Sequence, residues 1–396
     1  MKTSNLIYYI LITMVLFNFG CGNEKNYRSA STASPSISPS PTASPTISTT
    51  PSPSTTPTST LTPTPTPMPT STSSIEDYPK KFYVQSNKIV NESGIEVVFR
   101  GVNILDPAWM DGDYYNLNAA YFSQVASWKA NIIRIPVHPI GYRYYGPTNY
   151  LKILDKAINL AAAHKIYSII DFHSIGFVPE STYNDFLADP SLPWSGQIYS
   201  YTEQEINDFW ATIANHYKND DRVVFYEIFN EPTGRANKTI FDATAWDQWK
   251  TSAEALVDLI RNIDPDSKII VNGINYGYDL SYVGANPVNR SNIVYGTHPY
   301  PEQCQNKASA EAFGNLKDIY PVFATEFGFD PSVSASEVFY GTTAEATELI
   351  NYLESKNISW TVWHFSVEWT PNLLSDWEYN TSASGSLFKT ILQVLN

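Results

Sequence analysis

Cysteine is nearly absent from this chain, which has only Cys21 and Cys304. A disulfide framework is therefore excluded as its source of stability. Basic residues are also scarce, 25 Lys and Arg against 39 Asp and Glu, for a formal net charge of −14. Nucleic acid needs clustered cations for its phosphates, so that class of partner is excluded. Past the first twenty residues no apolar run is long enough to span a membrane. No Gly-rich phosphate turn follows any β-branched run. There is no HExxH, no Cys cluster and no histidine pair at helical spacing, so neither a metal nor another cofactor is expected. Aromatic residues, by contrast, are plentiful: 27 Tyr, 19 Phe and 10 Trp in 396 residues. With 43% hydrophobic residues, this describes an acidic, aromatic-rich globular body.

The ends of the chain differ in kind. Lys2 precedes an apolar run from Leu6 to Phe19, followed by Gly20-Cys21. A charged start, an apolar stretch and a small residue before the cut describe a secretory signal over residues 1–21. A Cys directly after the small residue resembles a bacterial lipoprotein signal. That resemblance implies lipidation of Cys21, a cell-surface location, and contact with a membrane through the anchor alone. Ordinary cleavage and an uncleaved anchor helix are the alternatives. Residues 22–75 are a linker, and from Ser29 to Ile75 they are Ser, Thr, Pro and Ala almost throughout, without one charge. Such a stretch has nothing to bury and favours disordered, polyproline-like extension. At ~3.1 Å per residue it reaches about 140 Å. It reads as a spacer between an anchor and the body.

Residues 76–396 form that body and hold every charged residue except Lys2, Glu24, Lys25 and Arg28. It opens with a hairpin: Lys81 to Val90, a turn at Asn91-Glu92-Ser93-Gly94, then Ile95 to Asn103. Eight apolar runs follow the strand pattern, counting Val97–Asn103 first. The others are Asn131–Val137, Tyr167–Phe172, Val223–Phe229, Lys268–Val271, Ile293–Thr297, Val322–Thr325 and Ser359–His364. Helical periodicity fills the gaps. Tyr150–Lys165 carries Leu151, Leu154, Ile158 and Ala162 on one stripe, and Trp246–Ile263 carries Trp249, Ala253, Leu256, Leu259 and Ile260. Thr202-x-x-Glu205 reads as a capping box, and helices are expected over Thr343–Lys356 and Ser384–Leu395. Near-continuous apolar strands alternating with amphipathic helices signal an α/β fold with a covered parallel sheet. Eight strands close a (β/α)8 TIM barrel, with an open doubly wound sheet as the alternative.

Such a barrel places its chemistry at the C-terminal ends of its strands. The second run holds Arg134 and ends at His138, the third ends Asp171-Phe172-His173, and the fourth ends Phe229-Asn230-Glu231-Pro232. The sixth ends Thr297-His298-Pro299-Tyr300, the seventh Thr325-Glu326-Phe327-Gly328, and the eighth holds Trp363-His364. Singly each residue has a structural explanation, as an ion pair, a solvated strand end or packing. Together they gather two Glu, an Arg, an Asn, His, Tyr and Trp at one mouth.

These residues resemble glycoside hydrolase family 5, in the clan of barrels with catalytic glutamates on strands four and seven. The resemblance runs from Phe99-Arg100-Gly101-Val102-Asn103 to the final helix. It rests on Phe229-Asn230-Glu231-Pro232, His298-x-Tyr300, Thr325-Glu326-Phe327-Gly328, Arg134 and Trp363. It implies a retaining glycosidase with Glu231 as acid and base and Glu326 as nucleophile. It further implies that Arg134 and Tyr300 hold Glu326, Asn230 binds the sugar 2-hydroxyl and His298 steers Glu231. His173 would bind hydroxyls in the cleaved subsite, with Trp363 stacked under that sugar.

The expected activity is endo-hydrolysis of β-1,4-glucan, a polysaccharide, by a monomer. The alternatives are another β-glycan (mannan, xyloglucan, mixed-linkage or β-1,3-glucan) or a non-catalytic sugar-binding barrel. Trp109, Trp194, Trp369 and Trp377 fall in loops that build sugar subsites in such barrels. Glu227 is read as structural, His138 and His364 as outer supports at best, and Cys304 as a bystander.

Overall fold

Each of the eight β-branched runs forms a strand, all of them parallel. They are Arg100–Ile104, Ile132–Val137, Tyr167–Phe172, Val223–Glu227, Ile269–Asn272, Ile293–Thr297, Val322–Ala324 and Ser359–Phe365. They join in chain order, and the eighth closes on the first through Thr361 opposite Gly101. The (β/α)8 barrel is thus the fold, and closure excludes an open sheet. The computed structural model describes residues 81–112, 116–184 and 197–396. The expected signal with Cys21, the spacer over 22–75 and Trp194 lie outside the described residues. No helix among the described residues is long and apolar enough to cross a membrane.

Side chains alternate across each strand, so one set faces the barrel axis and the other faces the helices. The lowest inward layer is apolar: Ile132, Ile169, Phe225, Ile270, Val294 and Phe323 share one buried cluster. Two residues further along, the inward positions are Arg134, Asp171, Glu227, Asn272, Gly296 and Thr325, polar in all but Gly296, whose missing Cβ leaves room for the Asn272 side chain. Asn103 and Thr361 complete that layer from strands one and eight. The outward residues, such as Ile133, Ile135, Tyr226 and Val271, join the larger core beneath the helices.

The helices are set by local signals. Thr202 and Glu205 form the expected capping box before Glu203–Tyr217, and Thr342 with Glu345 repeats it before Thr343–Ser355. Asp242 caps Ala243–Arg261, which buries Trp249, Ala253, Leu256 and Ile260 as its period requires. Two indoles tie this scaffold to strand ends. Trp210 Nε1 donates to Ile228 O at 3.0 Å, and Trp249 Nε1 donates to Asn272 O at 2.9 Å.

Two expectations need correction. The segment Lys81–Val90 is two strands, Phe82–Gln85 and Lys88–Asn91, joined at Ser86-Asn87 with Ser86 in the left-handed region (φ 55°). The turn at Asn91–Gly94 also exists, with Gly94 N donating to Asn91 O, so the N-terminal piece meanders twice. Its Phe82 and Ile89 pack on the apolar layer, Phe82 standing edge-on to Phe99 and Tyr167 with centroids 5.0 Å away. The meander therefore plugs the floor of the barrel. In helix Pro147–Ala162 the buried stripe is Tyr150, Ile153, Leu154, Ala157, Ile158 and Ala161, rotated from the expected one. On that face the Tyr150 hydroxyl donates to buried Asp106 at 2.6 Å, and Ile153, Ala157 and Ala161 add apolar surface that the expected stripe left out.

Candidate active site

The polar layer is organised by one cation. Arg134 is fully buried and spends its guanidinium fork on four strands. Nε and Nη2 donate to Glu227 at 2.6 and 3.0 Å, and Nη2 donates to Asn230 Oδ1 at 2.7 Å. Nη1 donates to Asn103 at 2.9 Å and to Glu326 at 2.9 Å, while Asp171 lies 3.0 Å from Nη2. Burial alone would weaken this charge. The carboxylates of Asp171, Glu227 and Glu326 reverse that and hold the guanidinium pKa above its ordinary value. Burial likewise opposes charge on Glu227, but Arg134 and the hydrogen bonds from His298 and Arg134 prevail and pull it down to about 2. Burial pushes Asp171 well up, with Arg134 opposing. Glu227 is therefore the permanent anion beneath the mouth, further bound by Asn272 Nδ2 (2.6 Å) and Thr325 Oγ1 (2.9 Å).

Glu231 is placed by backbone. Beyond strand four, Glu231–Pro232 pairs with Ile175–Phe177 in a small three-stranded sheet, and Glu231 N donates to Ser174 O at 3.1 Å. Its carboxyl meets His298 Nδ1 at 3.2 Å, and His298 Nε2 meets Thr325 Oγ1 at 3.0 Å. Gly277 (φ +78°) lies against the His298 ring, where a Cβ would come within 2.9 Å. Burial works against charge on His298, yet Glu326, Glu227 and Glu231 raise it to about 9. For Glu231, burial and the nearby Glu326 charge outweigh the His298 hydrogen bond and push the carboxyl up. Glu231 is thus disposed to carry a proton.

Glu326 has different company. Tyr300 OH donates to its Oε1 at 2.8 Å and Arg134 to its Oε2 at 2.9 Å, so both oxygens accept. Burial and the Glu326 charge hold the Tyr300 hydroxyl well above its ordinary pKa, which keeps it a donor. One oxygen of Glu231, one of Glu326 and a nitrogen of His298 lie within 4.8 Å of one another. Among the described residues this trio alone is close enough to share a cation. A metal there would sit beside the Arg134 guanidinium that already holds Glu326, and the two cations would repel.

The remaining expected residues converge on the same mouth. His173 Nδ1 bonds Asp171 at 2.6 Å, and its ring stacks on Trp363 at 5.5 Å and 7°. Burial, then His138 and Arg134, keep this imidazole well below its ordinary pKa and so neutral. His364 stacks on Trp363 from its own side (4.3 Å), and burial lowers it to about 3. Trp109 and Trp369 meet with centroids 5.2 Å apart, whereas Trp377 packs against the core. Cys304 is half-buried beside Ser309, one helical turn after Tyr300, and burial raises its thiol.

Sequence reasoning read Glu227 as structural, quoted Asn103, Asp171 and Thr325 within motifs without giving them a role, and left out Asn272 and Asp106. Strand parity was the available signal for several of them. Asp171 is two residues before His173, and Thr325 directly precedes Glu326 at an inward position.

With this geometry in hand, comparison with known proteins is specific. Residues 90–368 match the family model described as Cellulase (glycosyl hydrolase family 5). Endoglucanase E-5 of Thermobifida fusca is 28% identical over 318 residues, 77% of this chain and 59% of its own length. The chain thus spans about three-fifths of that relative. The solved structure of β-glucanase SdGluc5_26A from Saccharophagus degradans is 33% identical with a TM-score of 0.71, covering 79% of this chain and 93% of its own. That enzyme has also been solved in complex with cellotetraose. The catalytic domain of Thermobifida fusca endoglucanase Cel5A is 25% identical with a TM-score of 0.62, covering 81% of this chain and 99% of its own. The chain belongs to the cellulase family of glycoside hydrolases, glycosyl hydrolase family 5.

Proposed function

We propose that this chain is a retaining endo-β-1,4-glucanase working by double displacement. The observation that carries the reading is the carboxyl pair, Glu231 and Glu326, with one oxygen of each within 4.8 Å of the other and with unlike partners. Retaining pairs stand ~5–5.5 Å apart, whereas inverting pairs need ~6.5–9.5 Å to admit a water. Glu231, with its raised pKa, protonates the leaving glycosidic oxygen as Glu326 attacks the anomeric carbon and forms a glycosyl-enzyme. Arg134 and Tyr300 aim Glu326 and hold its charge. The Glu231 carboxylate then takes a proton from water, which releases the sugar with its configuration retained. Asn230 gives its Oδ1 to Arg134, and this leaves its amide hydrogens for the 2-hydroxyl. His173 and Trp363 flank the sugar in the cleaved subsite. The cellotetraose held by the Saccharophagus relative supports a β-1,4-glucan as substrate.

The test is reducing-sugar release from carboxymethylcellulose, glucomannan, xyloglucan and barley glucan by wild type and by Glu326→Ala. Proton NMR of the first-formed anomer accompanies it. Release by wild type alone with retained β-configuration is expected, and an α-anomer would refute the double displacement. Secretion with lipidation of Cys21 is part of the same proposal, supported by the Gly20-Cys21 junction. Mass spectrometry finding an unlipidated mature N-terminus would refute it.

A further inference from the structure

A third buried histidine–carboxylate pair, after His298–Glu231 and His173–Asp171, is His138–Asp106. Asp106 uses both oxygens to fix His138. Oδ2 accepts from the His138 backbone N–H at 2.9 Å and meets Nδ1 at 3.0 Å. Oδ1 accepts from Ala108 N at 2.8 Å and from Tyr150 OH at 2.6 Å. The other ring nitrogen, Nε2, is buried and has no hydrogen-bond partner among the described residues. Buried polar atoms are nearly always satisfied, so this one asks for a ligand.

Its surroundings indicate which. The His138 ring lies 4.4 Å from His173 on one side and 4.4 Å from Trp109 on another, and Trp369 stands edge-on at 5.3 Å. From Glu326 the contacts pass through Arg134, Asp171 and His173 to His138, so His138 stands one ring further from the bond to be cut. Trp369 adopts φ +60°, an outlier for a bulky residue, in the loop after strand eight. Glu231 lies just beyond strand four; strand eight is opposite it, and strands one and two lie on the far side of strand three. The leaving group takes its proton over strand four, so the retained sugars run the other way, over His138.

We propose that His138, positioned by Asp106, binds a hydroxyl of the second sugar on the retained side, and that the Trp369 ring covering it turns aside for that sugar. This rests on the glucanase reading above. A hydroxyl satisfies Nε2 whichever partner carries the hydrogen, while the flanking indoles offer their faces to the apolar side of the pyranose. The contact makes His138 a residue of substrate selection: an O-substituted sugar in that position loses it.

The experiment compares His138→Gln and His138→Phe in the full chain, with dinitrophenyl β-cellobioside as the probe and thermal melts as the check on folding. Gln places an amide near the Nε2 position without the ring, and Phe keeps the ring without the nitrogen. A hydrogen-bonding role lowers kcat/KM about tenfold in the Phe variant and restores most of it in the Gln variant. A packing role gives the reverse order. Equal losses, no loss, or Phe outperforming Gln overturns the inference with the glucanase reading intact. Wild type inert on the cellobioside and on every β-glucan overturns both.

Discussion

Replacing Arg134 with Gln removes the cation that Asp171, Glu227 and Glu326 contact directly. Breaking a buried ion pair by deleting one partner costs about 3–5 kcal/mol, because the orphaned charge stays buried. The structure adds a pH signature. Glu227 is held at about 2 in the fold against an ordinary 4.5. Its folded pKa is depressed, so its stabilisation is full above about pH 4.5 and is lost as pH falls toward 2. The shift of some two and a half units corresponds to about 3 kcal/mol. In Arg134→Gln, burial acts on Glu227 with less opposition and its folded pKa rises above the unfolded value. Stability of the variant then falls as pH rises. The gap between wild type and variant is accordingly widest near neutrality, about 4 kcal/mol, and about two-thirds of that at pH 4. Urea denaturation of both proteins at pH 7 and pH 4 measures it. An equal gap at the two pH values would refute charge compensation as the role of Arg134.

The remaining predictions concern the proposed catalytic pair, Glu231 and Glu326. Tyr300→Phe deletes the 2.8 Å hydrogen bond to Glu326; a bond to a charged group is worth about 1.5–3 kcal/mol, so kcat on a soluble β-glucan falls about 10–100-fold with KM little changed. In His298→Asn, Glu231 loses the hydrogen bond and positive charge that restrain its pKa, so the alkaline limb of the kcat–pH profile moves to higher pH. An unmoved limb would mean that Glu231 does not set it. Gly277→Ala forces a Cβ toward the His298 ring at φ +78°, and a lower melting temperature together with reduced kcat is expected.

The strands and their upper ends were legible because each run of β-branched residues stops at a polar group, and those groups are the ones that meet. Glu231, Glu326, Arg134, Asn230, His298, Tyr300, His173 and Trp363 all converge in the structure. What escaped notice lies one layer lower. Asn103, Asp171 and Glu227 sit in or at the end of runs that read as apolar, and Asn272 just past one, where a single polar residue looks incidental until strand parity turns them inward; the first three meet Arg134 and Asn272 braces Glu227. The Ser86-Asn87 turn was hidden for another reason: it uses a left-handed Ser where a Gly would have announced it. Asp106 precedes a short helix, Pro107–Gly112, and its partners Tyr150 and His138 come from distant elements, so no local pattern reveals it.

The ring of partners around Arg134 also bears on how the barrel assembles. Its fork is satisfied by Asn103 of strand one, Asp171 of strand three, Glu227 of strand four and Glu326 beyond strand seven. A half-built sheet offers some of these groups and leaves the others far away, with a guanidinium or a carboxylate stranded in an apolar interior. Partial barrels are thereby penalised more than their missing apolar contacts alone would dictate. The guanidinium that binds Glu326 favours all-or-none closure, so the residue to which the proposed mechanism gives the aiming of the nucleophile also sharpens the cooperativity of folding.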